Sequence, residues 1–188
     1  MSKDRRTSIY GKDRGAKEAP FFVYSVMISV KQIEDLLEES LVGTSLFKVE
    51  VRLSSTNVIR IFVDGPDGVH IEECVKISRY IESHLDREIE DFELTVSSSG
   101  LDQPLKVLAQ YKKNIGLKVE VLTTEGEVVC GILKSATVEE IEVEPEPIKG
   151  KGRKKIAIDT VVGAAVGSPY RHIKYTDIKE TKIVISFK

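Results

Sequence analysis

Hydrophobic residues first recur at helical spacing over residues 29–41. Val30, Ile33, Leu36, Leu37 and Leu41 fall three and four apart, while Glu34, Asp35, Glu38 and Glu39 take the other side. Ser29 is placed to cap this helix and Gly43 to stop it. The period then drops to two. Over residues 46–53, Phe47, Val49, Val51 and Leu53 share one face of a strand, residues 54–57 turn the chain, and residues 58–64 return as its hairpin partner. After the turn Gly65-Pro66-Asp67-Gly68, a second helix directs Ile71, Cys74, Val75, Ser78, Ile81 and Leu85 inward. Residues 91–97 alternate again, with Phe92, Leu94 and Val96 on one side. The order α-β-β-α-β predicts a small sheet covered on one face by two helices.

Beyond this strand the alternation gives way to SSSGLDQPL, whose serines, glycine and proline are turn and linker chemistry. A short helical piece over 105–115 follows, with Val107, Leu108 and Tyr111 placed to dock on a core. Strand patterns then come at close spacing over 118–124, 128–135 and 138–144, with a last one over 182–187 after the segment 170–178. Short strands, tight turns and almost no helix predict a small barrel of the SH3 or Sm type. The expected class is therefore α+β, an α/β two-layer domain followed by a small β-barrel. Its divisions are a disordered basic extension at 1–26, an acidic α/β domain at 27–103, and a barrel domain at 104–188 carrying a Pro/Gly/Lys-rich loop at 145–171. Met27, just before the first helical pattern, is a candidate natural start.

Composition keeps the chain among soluble globular proteins, at 41% hydrophobic and 31% charged residues. No apolar run is long enough to span a bilayer, and no signal-peptide core is evident. Cys74 and Cys130 fall in different halves without CxxC spacing, which suggests neither a disulfide framework nor a zinc site. The expected setting is the cytoplasm, with no membrane contact. Charge changes the picture more. The net of −2 divides into +3 for residues 1–26, −9 for 27–103 and +4 for 104–188. An acidic unit joined to a basic one favours a basic partner on one side and a phosphate backbone on the other.

No enzyme signature is present. Ser97, Ser98 and Ser99 lack a nucleophile elbow, and His70, His84 and His172 have no spacing that marks one of them as a base. His84 lies two residues from both Glu82 and Asp86, which does not put metal ligands on one helix face. Phosphate-loop and dinucleotide glycine patterns are absent. Gly65-Pro66-Asp67-Gly68 matches the GXXG of KH domains in form, but Asp67 and the acidic surroundings would repel phosphates. No catalytic residue, metal or cofactor is expected. Lys149, Lys151, Arg153, Lys154 and Lys155 put five cations in seven residues. That suits salt-dependent, sequence-blind contact with RNA phosphates, and equally a solvated loop.

SSSGLDQPL resembles the SSPGLDRPL signature of the ribosome maturation factor RimP family. IRIFVDGPDGVHIEECVKISRYIESHLD and DFELTVSS are similar to the segments preceding that signature, and IGLKVEVL and IKYTDIKETKIV to segments following it. The resemblance covers roughly residues 28–144 and 172–187. It implies a non-enzymatic assembly factor with an Sm/SH3-like C-terminal barrel, expected to be a monomer. Such a factor binds the immature small (30S) ribosomal subunit, meeting a basic ribosomal protein at the decoding centre and ribosomal RNA. Ser98, Gly100, Leu101, Asp102 and Pro104 match the signature, either as a partner-binding surface or as the hinge that fixes the angle between domains. Ser99 and Gln103 stand where the family has proline and arginine. The runner-up reading is a general RNA-binding module of Sm/KH-like type, unconnected with subunit assembly.

Overall fold

A computed structural model describes residues 28–146 and 169–185. The extension 1–26 and the cations Lys149, Lys151, Arg153, Lys154 and Lys155 lie outside the described residues. Helix α1 (Val30–Leu41) opens where the Ser29 hydroxyl accepts the Gln32 N–H at 3.2 Å, and Gly43 follows it at φ +80°. Strands β1 (Phe47–Leu53) and β2 (Val58–Asp64) form the hairpin, with Asn57 in the left-handed region at φ 55°. Strand β3 (Glu93–Ser98) lies parallel to β2, and α2 (Ile71–His84) makes the crossover between them. The sheet order is β1-β2-β3. Ile33 and Leu37 of α1 and Ile77 and Ile81 of α2 pack with Ile59, Ile61 and Val63 of β2, so both helices cover the same face.

Two faces are shifted from the sequence pattern. A β-bulge between Lys48 and Glu50 slips β1 by one residue, because Lys48 pairs with Val63 and Glu50 with Phe62. Leu46 rather than Phe47 therefore joins the core, and Lys48 turns to the helix side, where its ammonium meets Glu34 at 3.1 Å and Glu38 at 3.0 Å. In α2 the buried stripe runs through Ile77 and Ile81, whereas Ile71 is 75% exposed and Val75 is also on the outside.

The second half comprises α3 (Leu108–Lys113), β4 (Lys118–Thr123), β5 (Val128–Ala136), β6 (Glu140–Pro145), β7 (Arg171–Lys174), a 3-10 helix (Tyr175–Asp177) and β8 (Ile178–Ile183). β7 has no counterpart in the sequence pattern, because only Ile173 of its four residues is core. β8 begins four residues before the strand expected at 182–187. All five strands are antiparallel to their neighbours in the order β7-β6-β5-β4-β8. The closed barrel expected from the sequence is not formed among the described residues: β7 and β8 are the two edges of an open sheet. That sheet is nonetheless strongly curled. Five strands laid flat span about 19 Å, while the steps from Lys174 to Ile178 reach at most about 14 Å, and less through a 3-10 turn. Its core is Leu105, Tyr111, Val119, Val121, Leu133, Ile141, Val143 and Ile173, separate from the first.

Candidate functional site

The connector between the two cores is ordered by backbone and side-chain bonds at both ends. Ser99 donates its N–H to Val63 O at 3.1 Å, extending the β2–β3 pairing one step, and its Oγ accepts from Gln110 Nε2 of α3 at 3.1 Å. A turn follows in which the Gln103 N–H reaches Gly100 O at 3.1 Å. Leu105 then donates its N–H to Thr181 O of β8 at 2.8 Å and enters the second core. Gln110 is 3% exposed, and its Oε1 accepts the Lys106 N–H at 2.8 Å, so one buried amide ties the end of the first sheet to the start of α3.

Two ion pairs reinforce the junction. Lys113 Nζ of α3 lies 2.7 Å from Asp64 Oδ1 at the end of β2, and Lys106 pairs with Glu50 of β1. Glu50 also meets Arg52 at 2.7 Å, and that hydrogen bond, with help from Lys106, holds its carboxyl below the usual carboxylate range.

Of the signature residues, Ser98, Gly100 and Asp102 are exposed, Leu101 is 66% exposed, and Pro104 is half-buried. They do not converge on one pocket. Pro104 instead lines a cleft of about 530 Å³ between α3 and β8, with Leu105, Leu108, Tyr111, Tyr175 and Ile178. Tyr111 and Tyr175 meet edge to face there, with centroids 5.2 Å apart. The Tyr175 hydroxyl is buried and has no hydrogen-bond partner among the described residues, and burial, with the neighbouring Tyr111, pushes its phenol up to about 12. Burial pushes Tyr111 up as well. Gln110, Lys106 and Lys113 were missed by the sequence reading; the one available signal was a glutamine at helical spacing among Val107, Leu108 and Tyr111. Among the described residues no three His, Cys, Asp or Glu side chains gather to hold a metal ion, and no helix is long and apolar enough to cross a membrane.

An α+β chain with two separate cores and a hydrogen-bonded polar connector is thus the class that fold and site define. Residues 32–102 match the family described as the RimP N-terminal domain. A ribosome maturation factor RimP from Christiangramia forsetii is 38% identical over 162 residues, covering 84% of this chain and 95% of the relative. That of Flavobacterium psychrophilum is 36% identical over 162 residues, covering 84% and 97%. One from Porphyromonas gingivalis is 40% identical over 130 residues, covering 69% and 86%. The chain belongs to the ribosome maturation factor RimP family.

Proposed function

We infer that this chain is a ribosome maturation factor that acts by binding, without chemistry of its own, on the immature small ribosomal subunit. The observation that carries this reading is the kinship with proteins named ribosome maturation factor RimP, which runs through both halves and the connector. The acidic domain at 27–103 would face a basic ribosomal protein. Glu39 of α1 and Glu72 and Glu73 of α2, which form no ion pair among the described residues, supply the charge for such steered encounter. The domain at 104–188, an Sm/SH3-like unit in this reading, would lie toward ribosomal RNA. The curled sheet with a 3-10 turn between its edge strands supports that kinship. In this reading the protein works as a cytoplasmic monomer, and the connector sets the angle between its domains.

Sucrose-gradient sedimentation of the tagged full chain in its own lysate tests the reading. Co-migration with free small subunits, and not with whole ribosomes, is expected. Retention at the top of the gradient at both low and high salt would overturn it.

A further inference from the structure

Helices α1 and α2 cover only one face of the first sheet, and the opposite face carries an arrangement the connector does not explain. Strand pairing sets Arg52 directly opposite Arg60, and Arg60 beside Thr95; the next row is Glu50, Phe62 and Ser97. Two arginines opposed across a sheet repel one another, and an anion held between them relieves that repulsion. Arg52 is partly engaged, by Glu50 at 2.7 Å and by the Phe62 ring, whose centroid lies 5.4 Å from its guanidinium carbon. Arg60 is exposed and has no ion pair or side-chain hydrogen bond among the described residues.

The acids at one end of this face are already taken. Glu50 lies between Arg52 and Lys106, and Asp64 holds Lys113; Glu93 stands at the far end, paired with Val58. The uncommitted charge beside Phe62 is therefore positive, in a half whose net charge is −9. An aromatic face, a guanidinium plane and row-mate hydroxyls at Thr95 and Ser97 are the elements that stack and hydrogen-bond splayed single-stranded RNA. An acidic peptide would satisfy the arginines and leave the ring unused. We propose that this face, opposite α1 and α2, binds single-stranded RNA, a base stacking at Phe62 and Arg52 and its phosphate lying on Arg60. The proposal rests on the reading of the chain as a factor that works on ribosomal particles.

The test is fluorescence anisotropy of a short labelled oligouridylate with the full chain over a series of salt concentrations. Arg60→Gln is expected to weaken binding at all salts and to reduce the salt slope by about one. Phe62→Leu should weaken it roughly tenfold with the slope unchanged, and Phe62→Tyr should restore it. Arg79→Gln, on the exposed side of α2, serves as the control and should bind as the parent does. Circular dichroism melts establish that each variant is folded. Parental affinity in both Arg60→Gln and Phe62→Leu overturns the proposal, as does a parent that binds no oligouridylate, or oligoglutamate binding in its place. Sedimentation separates the two readings. Particle association without oligonucleotide binding at this face removes only the present proposal, and the converse removes only the assembly reading.

Discussion

Lys113 Nζ and Asp64 Oδ1 stand 2.7 Å apart across the junction of the two cores, and the same carboxylate oxygen accepts the Gly65 N–H at 2.8 Å. Asp64 is 8% exposed, so its charge is held largely out of water. Removing the lysine leaves that charge with a single backbone donor among the described residues. Lys113→Met should therefore cost about 2 kcal/mol, whereas Lys112→Met, on the exposed side of the same helix, should change stability by less than about 0.5 kcal/mol. Urea unfolding of the two variants makes the comparison, and equal midpoints would contradict it.

Ser99 stands where the family signature has proline, and its backbone explains why the serine suits this chain. Its N–H bonds Val63 O and its hydroxyl accepts from Gln110. Ser99→Pro removes both bonds and should lower stability by about 1–3 kcal/mol in spite of the stiffer connector. A thermal melt at or above the parent's would show that the connector rearranges at no cost.

Two glycines of opposite sensitivity provide a local test. A Cβ on Gly131 would come within 2.1 Å of the Glu144 carbonyl oxygen in the neighbouring strand, so Gly131→Ala must separate β5 from β6. At Gly100 the nearest atom, at 2.6 Å, is the Asp102 carboxylate, which can swing away into solvent. The expected loss is about 2–3 kcal/mol for Gly131→Ala and under about 1 kcal/mol for Gly100→Ala, read from denaturant midpoints.

The Tyr175 phenol titrates well above its ordinary value of 10, near 12, because burial disfavours phenolate. The folded state thus keeps this proton longer than the unfolded chain does. The contribution to stability is complete below pH 10 and is lost as pH rises toward 12. Tyr175→Phe should flatten that alkaline decline. At neutral pH it should be neutral or stabilise by about 1 kcal/mol, because the hydroxyl it removes has no partner among the described residues. A variant less stable than the parent at pH 7 would mean that the hydroxyl has a partner in solution.

The first sheet and its helices were legible because Ser29, Gly43 and the alternation of β2 and β3 are local signals that agree with the packing. The bulge was not. Phe47, Val49, Val51 and Leu53 alternate without interruption, and only pairing with β2 shows that the face slips at Lys48. β7 was invisible for a related reason: Ile173 is a single apolar position between polar neighbours, and its strand exists because β6 offers an edge. For the candidate site, the sequence located the connector but not its fastenings. Asp64 and Lys113, or Glu50 and Lys106, are too far apart in the chain for spacing to link them. Arg52 and Arg60 come into register only once the hairpin is drawn.

The order of strands has a consequence for synthesis of the chain. β4 has β5 on one side as soon as the β4–β5 hairpin forms, but its other side is covered only by β8, the last described element. Until the chain beyond Ile178 has left the exit tunnel, a nascent polypeptide displays the unpaired backbone of β4 as an open edge. An open edge of this kind is a template for pairing with foreign strands. Translational pausing ahead of Ile178, or truncation there, should therefore yield chains whose first half is native and whose second half recruits chaperones or aggregates.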